Sequence, residues 1–134
     1  MQAAVVDTNV VSYAFKKDTR GSLYARHLKG GINSISFMTV AELDYWAVSH
    51  NWGERKKAEL ADFLQQFAVI ESDRRLCLKW AEVRESARRN GRVIQPSDAW
   101  IAATALLYNV PLVTHNAADF VGIAGLTVIS EPDN

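Results

Sequence analysis

Residues 3–10 read Ala3-Ala4-Val5-Val6-Asp7-Thr8-Asn9-Val10. A short, partly β-branched apolar run ends abruptly on a carboxylate, as a buried strand does where it leaves a sheet. The pattern recurs along the chain. Ile35-Ser36-Phe37-Met38, Phe67-Ala68-Val69-Ile70, Pro111-Leu112-Val113 and Leu126-Thr127-Val128-Ile129 are further short apolar runs bounded by polar residues. The segments between them carry helical spacing. Leu60, Phe63, Leu64 and Phe67 fall at i, i+3, i+4 and i+7, and Leu76, Trp80, Val83 and Ala87 at i, i+4, i+7 and i+11. Ile101, Ala102, Ala105 and Leu106 form a third stripe, and Gly91 stands where a helix would stop after Arg88 and Arg89. Strands alternating with helices predict an α/β fold: a three-layer α/β/α sandwich around a mostly parallel sheet.

Composition sets the bounds. The 134 residues fit one domain spanning 1–134, and 49% hydrophobic content argues against disorder. Lys plus Arg and Asp plus Glu number 15 each, so any nucleic-acid surface must come from local clustering. A lone cysteine, Cys77, excludes an internal disulfide, and no Cys/His cluster suggests zinc. The N-terminus lacks the basic stretch and apolar core of a signal peptide, and no apolar run approaches the roughly 20 residues that span a bilayer. The expectation is a cytoplasmic protein without a membrane segment.

In a parallel sheet the ligand site lies beyond the carboxyl ends of the strands. Asp7 directly follows the first strand, Glu42 lies four residues after Met38, Asp119 follows the fourth strand, and Asp98 opens a helix. Capping explains each acid taken singly, since a helix dipole favours a carboxylate at its N-terminus by about 0.3–1 kcal/mol. Thr39 to Glu42 has the spacing of a capping box, Asn116 to Asp119 nearly so, and Ser97 stands ready to cap the helix of Asp98. Taken together the acids read differently. At about 4 Å and an effective dielectric near 20, each like-charge pair costs on the order of 4 kcal/mol. Caps made of Ser, Thr or Asn would avoid that cost, whereas a hard divalent cation such as Mg²⁺ or Mn²⁺ would neutralise it. Such an ion suits phosphodiester hydrolysis, which needs no protein nucleophile. His27, His50 and His115 occur singly and read as ordinary surface or core histidines; His115, between Thr114 and Asn116, is the one placed to line the site.

Four segments carry a family resemblance: Val6-Asp7-Thr8-Asn9-Val10, Thr39-Val40-Ala41-Glu42-Leu43, Ser97-Asp98-Ala99-Trp100-Ile101-Ala102-Ala103-Thr104-Ala105, and Thr114-His115-Asn116-Ala117-Ala118-Asp119-Phe120. In this order they resemble a PIN domain, and in particular the VapC-type toxins of bacterial and archaeal toxin–antitoxin pairs. The resemblance implies a PIN-like α/β/α fold, ribonuclease activity dependent on Mg²⁺ or Mn²⁺, and inhibition by a small cognate antitoxin. Asp7, Glu42 and Asp98 match the family's three central acids and Asp119 the fourth, more variable one. Asn9, Thr114 and Asn116 match polar positions near the site. A homodimer, and antitoxin binding along the apolar region Val10 to Leu28, are further implications. A two-sided core helix explains that region equally.

Several readings stay open at this level. Arg74, Arg75, Lys79, Arg84, Arg88, Arg89 and Arg92 form either a solvated helix face or a phosphate-contacting rim, and Arg55, Lys56 and Lys57 could serve likewise. The four tryptophans read as core or interface anchors, with Trp52, beside Gly53, the most exposed. A receiver-type phosphoacceptor would want a Lys after the last strand, where Ser130-Glu131-Pro132-Asp133-Asn134 stands. A haloacid-dehalogenase phosphatase would want an Asp where Asn9 stands. A PIN-type nuclease of RNA maturation and a non-catalytic PIN-like binding module are the remaining alternatives. The short length favours the toxin over the first, and the presence of all four acids weighs against the second.

Overall fold

The alternation of apolar runs and amphipathic segments folds into a sheet enclosed by helices, seen in a computed structural model that describes residues 2–132. Five parallel strands, β1 (Ala3–Val6), β2 (Ile32–Ser36), β3 (Ala68–Ile70), β4 (Leu112–Val113) and β5 (Val128–Ile129), lie in the order β3-β2-β1-β4-β5. The chain builds outward from β1 to β3 on one side. It then crosses to place β4 on the other side of β1. That reversal opens a crevice at the carboxyl ends of β1 and β4, where doubly wound sheets bind ligands.

The twofold strand period supplies two cores. From β1, Ala4 and Val6 face α1 (Thr8–Phe15), α4 (Phe37–Ser49) and α5 (Glu54–Leu64), packing with Val10, Val11, Leu43 and Leu60. Val5 faces the opposite layer, packing with Leu76, Val83, Ile101 and Ala105 of α6 (Arg74–Arg89) and α7 (Pro96–Leu107). The three-layer arrangement follows from this alternation. Among the described residues no helix is long and apolar enough to cross a membrane.

Several boundaries differ from the sequence reading. Phe37 and Met38 do not extend β2. Ser36 caps α4 by accepting the Met38 amide at 3.0 Å, so the helix begins at Phe37, whose ring packs edge-on against Trp100. Thr39 therefore lies inside the helix, and no capping box exists there. Phe67 lies beyond α5, which ends at Leu64, and just before β3. The region Val10 to Leu28 is three short helices, α1, α2 (Thr19–Ser22) and α3 (Ala25–Leu28). Asp18 caps α2 through the Arg20 amide at 2.9 Å, and Lys17 takes a left-handed φ of 56° at the break. Gly21 allows the close approach of α2 to α1: a Cβ there would meet the backbone of Tyr13 and Ala14 at 3.0 Å. Val10, Val11 and Tyr24 are fully buried, as a core element requires, while Tyr13 and Phe15 are half-buried. Gly91, with φ of 71°, follows the end of α6 as expected. All four tryptophans are half-buried, and Trp52 does not stand out, because it stacks on Phe15 and carries Lys56 over its ring.

Candidate active site

The strand register decides what stands beside Asp7. Val5 pairs with Leu112 and Val6 with Val113, so the next pair along is Asp7 and Thr114. The Asp7 amide donates to the Val113 carbonyl at 2.8 Å, and the Thr114 amide to that of Ile129 at 3.0 Å. The Thr114 hydroxyl consequently reaches Asp7 Oδ2 at 2.6 Å. Asp7 Oδ1 accepts the Thr8 amide at 2.8 Å and so caps α1. Asp7 is 5% exposed. Burial drives its carboxyl up from the ordinary value of 3.8 to about 6. The bonds from Thr114 and Thr8 pull the other way, and the charges of Glu42 and Asp119 push further up.

Glu42 is held from the opposite side. The Thr8 hydroxyl donates to Glu42 Oε1 at 2.8 Å and also contacts the Thr39 hydroxyl at 2.8 Å. A hydroxyl has one proton. Thr8 spends it on Glu42, so Thr39 donates to Thr8, and the relay runs Thr39 to Thr8 to Glu42. Thr39 and Glu42 lie one turn apart on the same face of α4, which is how the T-x-x-E spacing works here.

Asp98 stands in the first turn of α7, two residues after Pro96 at its start. Ser97 does not cap that helix; Gln95 occupies the cap position without a side-chain bond. Among the described residues no hydrogen bond relieves the half-buried Asp98 carboxyl. Burial first, then the charges of Asp7, Asp119 and Glu42, raise it from 3.8 to about 7. Asp119 lies in a short 3-10 turn (Ala117–Phe120) that Asn116 does not cap through its side chain, and it is exposed.

These four acids line one cavity of about 160 Å³, with Thr8, Asn9, Trp46 and Asn116 completing the wall. Capping thus accounts for Asp7 alone of the four. Asn9 also braces the β4 end, its Oδ1 accepting the His115 amide at 3.2 Å. Thr114 acts through Asp7 and through the Asn116 amide, which it accepts at 3.1 Å. His115 is not on the cavity wall. Its ring packs edge-on against both Tyr13 and Tyr24, with Nδ1 at 2.5 Å from the Tyr24 hydroxyl. The residue pattern alone singles out neither Thr8 nor Trp46 as a site residue, and the capping role it offers Thr39 is not used in the fold.

The donors are carboxylate, amide and hydroxyl oxygens, the set a hard cation prefers over sulfur or imidazole. Among the described residues no three acidic, histidine or cysteine side chains close up into a ready-made cage.

The model of the PIN domain family matches residues 4–126. Among curated relatives, the chain is 28% identical over 122 residues to ribonuclease VapC2 of Haemophilus influenzae, covering 91% of this chain and 92% of the relative. The same identity and coverage hold for the tRNA(fMet)-specific endonuclease VapC of Shigella flexneri. Among solved structures, VapBC2 of Rickettsia felis bound to a DNA fragment from its promoter superposes with a TM-score of 0.85 at 26% identity, covering 98% of this chain and all of the other.

Proposed function

The chain belongs to the PIN domain family, and from that membership we propose that it is an endoribonuclease, the toxin of a toxin–antitoxin pair, acting in the cytoplasm on RNA phosphodiester bonds with Mg²⁺ or Mn²⁺. The observation that carries the reading is the single cavity lined by Asp7, Glu42, Asp98 and Asp119, two of whose carboxyls are raised by burial and mutual repulsion. A fold that gathers acids in one cavity bears a stability cost, which hydrogen bonds to Asp7 and Glu42 offset only in part, and a bound cation removes it. The relatives' names, ribonuclease VapC2 and tRNA(fMet)-specific endonuclease VapC, support RNA as the substrate and make transfer RNA the class to test first.

Each residue has a role in this reading. Asp7 and Asp98 hold the cation, Asp7 fixed by Thr8 and Thr114. Glu42, oriented by the relay from Thr39 through Thr8, accepts a proton from the attacking water. Asp119 and Asn116 orient that water at the open rim. When bound, the cation lowers the pKa of a water and offsets charge gathering on the phosphate. The likeness to VapBC2 supports a small antitoxin as partner. An exposed apolar groove of about 670 Å³ between α4 and α5, lined by Val48, Leu64 and Val69 among others, offers a surface for such a partner or for a homodimer.

The test is incubation of purified protein with total cellular RNA, with Mg²⁺ or Mn²⁺ and again with EDTA, beside an Asp98→Asn variant. Cleavage by the wild type with metal, lost in EDTA and in the variant, supports the reading. Metal-independent cleavage, or a fully active variant, sinks it.

A further inference from the structure

A pocket of four carboxylates repels the phosphodiester it is to cut, so the positive charge that draws RNA in must stand outside it. The chain has no net positive charge to supply this, with 15 basic and 15 acidic residues. The 74–92 segment holds seven basic side chains. Most are matched locally: Arg75 by Asp73 at 3.2 Å, Lys79 by Glu82 at 3.7 Å, and Arg88 and Arg89 both by Glu85 at 2.7 and 3.1 Å. Among the described residues Arg74, Arg84 and Arg92 have no acidic partner within ion-pair distance. Arg84 and Arg92 line a cleft of about 410 Å³ whose other walls are Trp80, Ala81, Glu85, Arg88, Val93 and Ile94, the Glu85 carboxylate being held by Arg88 and Arg89.

The cleft is built rather than incidental. Trp80 stacks on Trp100 with ring centroids 5.2 Å apart, and its Nε1 donates to the Pro96 carbonyl at 3.1 Å. The Arg84 guanidinium lies over the Trp80 ring, 5.0 Å from its centroid, which limits the conformers it must give up on binding. Arg92 begins the segment that runs through Ile94 and Pro96 into the turn bearing Asp98. The cleft lining ends at Ile94, two residues before α7, and the acid cavity takes Asp98 from the first turn of that helix.

We propose that this cleft holds the RNA backbone beside the cut site, with Arg84 and Arg92 contacting phosphates on the strand that leaves the acid cavity. It rests on the ribonuclease reading only for the identity of the polyanion. Val93, 91% exposed at the lip, faces the passing strand rather than a core.

The test reads binding apart from cleavage. Fluorescently labelled total transfer RNA is titrated with full-length protein in EDTA across a range of salt. The wild type is compared with an Arg84→Gln/Arg92→Gln double variant. A control of equal charge loss, Arg55→Gln/Lys56→Gln, removes basic groups from α5. The double variant should bind roughly ten-fold more weakly, with a salt slope smaller by about 1.4, or 0.7 per phosphate contact on a single strand. Arg84→Lys/Arg92→Lys should recover most of the affinity. The control should bind like the wild type. Equal losses in the control, an unchanged slope in the double variant, or no RNA binding by the wild type would overturn the proposal. So would a fall in sedimenting mass in the double variant, which would mark the cleft as a contact between copies of the chain. A wild type that binds RNA in this way yet cuts nothing with Mg²⁺ would defeat the nuclease reading and leave this one standing.

Discussion

Replacing Asp7 by Asn should make the metal-free protein more stable. The Asp7 carboxyl is raised from 3.8 to about 6 in the fold. At about 1.4 kcal/mol per pH unit, its ionised form costs the folded state about 3 kcal/mol at pH 8. Asn keeps the shape and still accepts the Thr8 amide through Oδ1. Its Nδ2 cannot accept the Thr114 proton, and losing that bond costs about 1 kcal/mol. The net gain is about 2 kcal/mol, or roughly 8 °C in Tm for a chain of this size. The sign follows from proton uptake: the folded state holds its Asp7 proton to higher pH than the unfolded chain. This group's stabilising contribution is therefore complete below about pH 4 and disappears as pH rises through about 6. Asp98, raised to about 7, continues the loss by a further amount that solvent screening reduces. Asp18 and Glu85, both lowered to about 2 by their arginine partners, act below this window and cancel between variant and wild type. Urea unfolding in EDTA from pH 4 to pH 8 measures the difference. The advantage of Asp7→Asn should be absent at pH 4 and full at pH 8. An Asp7→Asn protein no more stable than the wild type at pH 8, or a difference that does not change with pH, would show that the buried Asp7 carboxylate does not burden the fold.

Two further outcomes follow from the hydrogen bonds around the cavity. Thr8→Val removes the donor to Glu42 and leaves the Thr39 hydroxyl buried without its acceptor, so cleavage of RNA should fall by about ten-fold, equivalent to about 1.4 kcal/mol, while Thr39→Val, one step further back, should lose less; equal kcat for Thr8→Val and wild type would remove the relay from the account. Tyr24→Phe leaves the Glu131 amide without the hydroxyl it donates to at 3.1 Å, so stability should fall by about 1–3 kcal/mol and the C-terminal segment should become sensitive to carboxypeptidase; an unchanged urea midpoint would contradict this.

Much of the fold was legible because burial imposes a period. Ala4 to Val6 alternates between two cores, and the stripe from Leu76 to Ala87 faces one of them. What misled was local. Phe37 and Met38 look like strand residues because a four-residue apolar run fits a strand or a helix start equally; only the Ser36 cap and the Trp100 ring decide. Thr39 and Glu42 have the spacing of a cap, but the same spacing puts two side chains on one helix face, and tertiary contact with Thr8 selects that use. The gathering of the four acids followed from topology, since three of them trail strands whose ends meet at one sheet edge. Trp46 on the cavity wall and the Trp80 cleft depend on how α4 and α6 are turned, which the residue pattern does not specify.

The proposed function requires the acid cavity to bind a divalent cation. Titration of the purified protein with Mn²⁺, followed by loss of the free-ion electron paramagnetic resonance signal, tests it without any RNA. The wild type should take up Mn²⁺ at pH 8 in competition with Mg²⁺, and both Asp7→Asn and Asp98→Asn should bind at least ten-fold more weakly. Uptake of Mn²⁺ by both variants at the wild-type affinity would place the ion outside the acid cavity.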